Sequence, residues 1–148
     1  MTPIAELALA EARDWIGTPY LHQASRKGAG TDCLGLLRGV WRHLYGAEPE
    51  MIPAYTADWS EPQGEEALWH AARRHLIEKP LANAISGDVL LFRMRSGAVA
   101  KHVGLQGRVG KAPSFVHAFG NHAVLESPLS EPWSRRIVAR FEFPNEVT

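Results

Sequence analysis

The chain of 148 residues carries 16 basic and 16 acidic side chains, so no net field draws it onto nucleic acid or an anionic membrane. Hydrophobic residues make up 45% and charged residues 22%, the balance of a single globular domain spanning 1–148, and no apolar run approaches the length of a bilayer span. One cysteine excludes an internal disulfide and any zinc site built on several thiolates.

Met1 to Glu6 has no basic region followed by an apolar core, so the expectation is synthesis in the cytoplasm without a secretory signal. Residues 2–16 predict a helix: Thr2 is placed to cap it, Pro3 suits its first position, and Ile4, Ala8, Ala12 and Trp15 recur at helical spacing. Gly17 and Pro19 stop it. A loop containing the Gly-rich run Arg26 to Gly30 then leads to Thr31-Asp32-Cys33-Leu34-Gly35-Leu36. From there Leu34, Leu37, Trp41 and Leu44 mark a second helix, closed by Gly46. Glu48 to Trp59 has two prolines and no period, which reads as an irregular connection. Ser60 and Gln63 have capping-box spacing before a third helix, predicted to run to about Lys79 with Ala67, Leu68, Ala71, His75 and Leu76 on its buried face.

After Gly87-Asp88 the chain changes character. Val89 to Phe92, Val99 to Leu105, Ser114 to Ala118, Ala123 to Glu126 and Arg136 to Phe143 are short runs rich in β-branched and aromatic residues, mostly divided by glycine-containing turns. Helices first and strands second predict an α+β fold: N-terminal helices packed on a C-terminal antiparallel sheet of about five strands.

Cys33 falls where a loop becomes a helix. Thr31 or Asp32 can cap that helix, and the free N–H groups of its first turn favour a thiolate over a thiol. On position alone a nucleophile and a small, inert core residue are equally good readings. His102 and His117 tilt the balance. Strand alternation places His102 and Gly104 on one face, with Val103 and Leu105 on the other. If the strand holding His117 is a neighbour, the two imidazoles can form a cross-strand pair, one as base for the thiol and one to orient that base.

A lone strand histidine is more often half-buried and bonded to backbone than catalytic, and His22, His43, His70 and His75 are left in that class. His122 follows the turn sequence Gly120-Asn121 and reads as turn surface. A metal site of His102, His117 and His122 has no compact ligand motif behind it, and no metal or cofactor is expected. The Gly-rich run before Cys33 lacks a Gly-Lys-Ser/Thr ending and a preceding strand, so it is not a phosphate loop. Arg38, Arg42, Arg73 and Arg74 read as solvated helix faces.

Four segments taken together resemble a family: Asp32-Cys33-Leu34-Gly35, Gly87-Asp88-Val89-Leu90-Leu91-Phe92, Lys101-His102-Val103-Gly104 and Val116-His117-Ala118. In that order they resemble the NlpC-type cell-wall cysteine peptidases, small papain-like enzymes that cut peptidoglycan stem peptides. Trp15 to Tyr20, Pro53 to Leu76 and Glu126-Ser127-Pro128-Leu129 are similar to the single-domain subgroup encoded with phage tails and gene transfer agents. The resemblance implies Cys33 as nucleophile, His102 as general base and then acid, and His117 as the residue orienting His102. It implies Tyr20 and Asp32 at the substrate, and backbone N–H groups at the helix start, including that of Cys33, as receivers of the oxyanion. Leu34 departs from the serine of many relatives and cannot make that residue's hydrogen bond to substrate.

The expected partners are a peptidoglycan stem peptide and other tail or particle proteins, with the protein acting at the cell wall from such a particle. Apolar residues near 48–59 are a candidate docking surface. Two other readings carry the same residues: a tail component that keeps the fold without catalysis, and an acyltransferase that resolves the thioester with an amine.

Overall fold

The computed structural model describes residues 2–50 and 66–145. The capping pair Ser60 and Gln63, and the candidate docking residues from 51 to 59, lie outside the described residues.

Helix α1 (Ile4–Asp14) buries Ala8, Leu9 and Ala12, and Trp15 follows at 2% exposure. The helix starts one step later than its sequence suggests, because Pro3 itself is the N-cap and its carbonyl accepts from the Glu6 and Leu7 N–H groups. Helix α2 (Cys33–Tyr45) ends at Gly46, whose φ of +93° is the left-handed conformation that releases a helix. Its buried side is broader than the expected stripe and includes Leu36, Gly39 and Val40. A Cβ at Gly39 would collide with the Trp15 indole, so this glycine is what lets α1 close onto α2.

The Gly-rich run is not an open loop. It is a small antiparallel hairpin of β1 (Ser25–Arg26) and β2 (Gly30–Thr31). Arg38 and Arg42, expected as a solvated face, are half-buried and both bond Glu48; Arg42 also reaches the Ser25 carbonyl and hydroxyl, tying α2 to that hairpin.

Helix α3 (Ala67–His75) is shorter than predicted. Leu76 turns extended (φ −115°, ψ 169°) and β3 (Ile77–Lys79) joins the sheet instead. Two local forces explain the correction. Pro80 disfavours helical backbone at Lys79, and extension carries Lys79 to within 2.9 Å of the buried Asp88.

The five anticipated strands all form: β4 (Val89–Phe92), β5 (His102–Gln106), β6 (Ser114–His117), β7 (Leu125–Pro128) and β8 (Ile137–Glu142). With β3 they make a six-stranded antiparallel sheet in the order β3-β8-β4-β5-β6-β7. A short helix α4 (Glu131–Ser134) links β7 to β8. Its signal, Ser130 before Glu131-Pro132, is a start-of-helix pattern. No helix among the described residues is long and apolar enough to cross a membrane.

Alternation divides the sheet into two apolar faces. Val89, Leu91, Val103, Leu105 and Val116 pack against the helices, together with Leu36, Val40 and Trp41. Leu90, Phe92, Phe115 and Leu129 form a second cluster on the far face, against Trp133 of α4. Fully burying such side chains contributes about 1.5–3 kcal/mol each.

Candidate active site

Cys33 opens α2, and Asp32 holds the turn that presents it. Asp32 Oδ1 accepts from the Gly35 N–H at 2.7 Å, a helix cap contributing about 1 kcal/mol. Its Oδ2 accepts from the Gln23 N–H at 2.7 Å, which pins the preceding loop. With Asp32 3% exposed and both oxygens engaged, its visible work is to position the nucleophile candidate rather than to present a carboxylate to substrate. Gly35 allows the close fit, since a Cβ there would strike the Ala24 carbonyl and the Thr31 hydroxyl.

The thiol lies against the start of β5. Sγ is 3.9 Å from the Lys101 carbonyl, to which it donates, and the Val103 N–H hydrogen-bonds the sulfur. These are the two residues flanking His102. The His102 ring is directed to the far face of the sheet, where its Nε2 meets His117 Nδ1 at 2.9 Å. The register explains the meeting: Leu105 pairs with Val116, so His102 on β5 and His117 on β6 are diagonal neighbours on one face. Gly104 sits between them, where a Cβ would crowd Phe115 and His117. His117 Nε2 is in turn 3.0 Å from Ser127 Oγ on β7.

The contacts admit two tautomer arrangements, and a base for the thiol requires one of them. If His102 Nε2–H donates to His117 Nδ1, then His117 carries its own proton on Nε2 and donates it to Ser127. His102 Nδ1 is then left with a lone pair. Phe92, Phe119 and Trp133 surround His102 at ring-centroid distances of 5.1–5.6 Å. Burial in this aromatic shell, with His117 alongside, lowers the His102 pKa to about 3; burial lowers that of His117 to about 4. Both imidazoles are neutral at pH 7.

The thiol departs from its expectation. Backbone N–H groups of Val103, Leu34 and Cys33 do favour the thiolate, as the helix end should. Burial and the nearby Asp32 carboxylate win, and the Cys33 pKa is pushed up to about 12. The resting group is therefore a neutral thiol. Iodoacetamide is expected to alkylate Cys33 at pH 7.5 at least about a hundredfold more slowly than the same thiol in the urea-unfolded chain, with the rate still rising above pH 9. A fast rate, level between pH 5 and 8, would instead reveal a preformed thiolate.

Tyr20 bridges to Thr31, and its phenol is raised by burial and by the nearby Cys33 and Asp32. His122 is exposed and apart from the pair, and among the described residues no group of three His, Cys, Asp or Glu side chains is gathered to hold a metal. Ser127, Phe92, Phe119 and Trp133 have no role in the sequence reading. The alternation of β7 was a usable signal for Ser127; Trp133 comes from an unanticipated helix.

No protein-family profile and no curated protein sequence matches the chain. Solved structures do. The chain overlays the NlpC/p60 domain of the peptidoglycan hydrolase SagA with a TM-score of 0.63 at 21% identity, covering 94% of this chain and 98% of that one. An NLP/P60-family protein of Staphylococcus aureus, described as similar to lipoprotein, gives 0.62 at 17% identity over 97% of this chain. The peptidoglycan hydrolase RipB of Mycobacterium tuberculosis gives 0.56 at 20% over 94%. The chain spans 42% and 63% of the length of these last two. The α+β architecture is thus the papain-like fold of NlpC/P60 domains.

Proposed function

We propose that this protein is a cysteine peptidase that hydrolyses peptide bonds in peptidoglycan stem peptides, carried as a component of a phage tail or gene transfer agent that opens the wall locally. The hydrogen-bonded pair His102–His117, beside a helix-terminal Cys33 seated between the flanking residues of His102, carries the proposal. The shared fold with peptidoglycan hydrolases supports the substrate, and the subgroup motifs quoted above support the particle.

The steps follow from the protons. His102 Nδ1 accepts the Cys33 proton as Sγ attacks the carbonyl carbon. The oxyanion is received by N–H groups at the start of α2, including that of Cys33. His102 then protonates the leaving amine as the C–N bond breaks, and water, deprotonated by the same nitrogen, hydrolyses the thioester. Tyr20 lines the substrate side, and Asp32 fixes the loop. An amine in place of water at the last step gives acyl transfer.

Purified peptidoglycan incubated with the wild-type protein under reducing conditions, with fragments identified by mass spectrometry, is the test. New amino termini within the stem peptide are expected, and their sequence names the bond. Intact stem peptides after digestion by folded, reduced protein would refute the peptidase.

Ser127 gives a finer check. Ser127→Ala removes the acceptor that holds His117 in its tautomer, at a cost of about 1 kcal/mol. On a soluble stem peptide, kcat is expected to fall roughly tenfold with KM held, and Ser127→Thr to retain activity. An unchanged kcat in Ser127→Ala would remove Ser127 from the relay.

A further inference from the structure

His102 occupies the first position of β5, where the sheet holds that strand least. β4 pairs with it as far as Phe92 opposite His102, but this end of β4 carries a register irregularity toward β8 between Leu91 and Phe92. β6 meets β5 only further along, at Leu105 and Gln106. Ala98 to Lys101 come before the strand and belong to no regular element. Yet this is the stretch that places the thiol's surroundings. The Lys101 carbonyl accepts from Cys33 Sγ, and the Val103 N–H, on the other side of His102 in the chain, bonds the same sulfur. Burial of Val99 and Ala100 keeps the stretch on the core, but apolar contact is non-directional and sets no register.

A polar clasp supplies the direction. Arg93, directly after β4, donates from Nε to the Ala98 carbonyl at 2.7 Å. Its Nη2 donates to Glu66 Oε2 at 2.7 Å, and Glu66 Oε1 accepts from the Ala100 N–H at 2.8 Å. The three bonds close a ring through Ala98 and Ala100, so one ion pair fixes both backbone groups. Each bond has a charged donor or acceptor, the stronger kind, and the pair is half-buried. Glu66 is the N-cap of α3, the position from which a side chain usually serves its own helix. Its carboxylate makes no such cap and is turned to the entry of β5 instead.

We infer that Glu66 and Arg93 are positioning residues for the proposed reaction: their clasp on Ala98 and Ala100 sets the start of β5, and with it the alignment of His102 and of the Lys101 and Val103 backbone against the Cys33 thiol. The role in turnover rests on the peptidase reading; the hold on the thiol's surroundings does not. Both side chains act through the backbone, and a displacement of about 1 Å at a reacting group can cost roughly a hundredfold in rate.

Glu66→Ala removes both acceptors, whereas Glu66→Gln keeps a carbonyl oxygen for the Ala100 N–H and gives up only the pair with Arg93. On a soluble stem peptide, kcat is expected to fall about tenfold or more in Glu66→Ala with KM held, and to return to within about threefold of wild type in Glu66→Gln. Arg93→Lys keeps the charge but cannot reproduce the fork that spans Ala98 and Glu66, so its kcat should fall about threefold or more. Glu78→Ala is the control. It frees Arg73 and Trp69 on the same helix from a strand that β8 and β4 separate from β5, and kcat should stay at the wild-type level.

Two readouts need no turnover. In Glu66→Ala the Ala100 amide should exchange with solvent about tenfold faster or more. Iodoacetamide should alkylate its Cys33 at pH 7.5 about fivefold faster or more, as the backbone over the thiol loosens. Urea unfolding curves select the variants that are folded under assay conditions, and Arg93→Lys carries the same readouts if Glu66→Ala is not among them. An unmoved alkylation rate in the folded variant, a rise in KM with kcat unchanged, or a Glu66→Gln rate no better than that of Glu66→Ala would overturn the clasp. Faster exchange and alkylation, with stem peptides left intact by the wild type, would refute the peptidase and leave the clasp; cleavage by the wild type with the thiol unmoved in Glu66→Ala would do the reverse.

Discussion

Cys33→Ala is expected to abolish release of stem-peptide fragments, and His102→Ala to lower kcat by about ten-thousand-fold or more, with the double variant no worse than either alone. The non-additivity is the informative part. A nucleophile that depends on one base loses its whole advantage when either member goes, so the second substitution has little left to remove. Fragment yield by mass spectrometry measures the first variant, and single-turnover rates on a soluble stem peptide the others. Activity surviving in Cys33→Ala would mean that a group other than the thiol attacks.

The pH profile adds a sign. In the free protein the thiol is neutral up to about pH 12 and His102 is neutral down to about pH 3. The form competent for proton transfer, with neutral thiol and neutral imidazole, therefore spans the range between. Activity is present above the His102 pKa and lost as pH falls through it, because the protonated ring has no lone pair for the thiol. kcat/KM is expected to stay level from about pH 5 past pH 9. A preformed thiolate–imidazolium pair would behave differently, losing rate above about pH 8 as the imidazolium gives up its proton. A fall of kcat/KM on that alkaline side would show that the free protein already holds the ionic pair, and the same fall in kcat alone would place the conversion in the substrate complex.

Most of the architecture was readable because it depends on local pattern. Ala8, Ala12 and Trp15 on α1, the Asp32 cap with its Gly46 stop, and the alternation of Val103 and Leu105 are signals carried within one element. Where the reading failed, a distant partner decided. Ile77–Lys79 left the helical pattern for the sheet, where Lys79 meets Asp88 nine residues on and Glu142 at the far end of the chain. The candidate site divides in the same way. Residue types and strand order named Cys33, His102 and His117, but the thiol's ionisation was misjudged. The helix end is visible in sequence; the burial that outweighs it is a sum over packing from several elements. Ser127 and Trp133 were missed because their relation to the imidazoles exists only once β7 and α4 are placed.

Asp88→Ala is expected to destabilise the fold by about 3–5 kcal/mol, the cost of leaving a buried partner charge uncompensated. The residue belongs to the Gly87-Asp88 motif by which the sequence resembled a peptidase, yet it lies in the framework rather than at the thiol. Asp88 is fully buried and Arg140 5% exposed; Arg140 Nη1 is 2.8 Å from Asp88 Oδ2 and 3.0 Å from Gln106 Oε1. Lys79 approaches the other carboxylate oxygen at 2.9 Å, and the Ile85 N–H donates to Oδ2. One carboxylate thus ties β3, β8 and, through Arg140, β5 to the turn entering β4, where Gly87 (φ +97°) has no room for a Cβ against the Ala5 carbonyl. Removing it leaves Arg140 and Lys79 facing each other in a dry interior. Urea unfolding measures the loss, and Arg140→Met should cost a similar amount. The double variant should cost less than the sum of the two, because Asp88 and Arg140 then no longer leave each other unpaired, with Lys79 the charge that remains. A loss below about 1 kcal/mol for Asp88→Ala would mean that water reaches the pair. Because Phe92 at the end of β4 is the register partner of His102, a fold loosened at Asp88 should also lose the alignment of the imidazole pair before it unfolds.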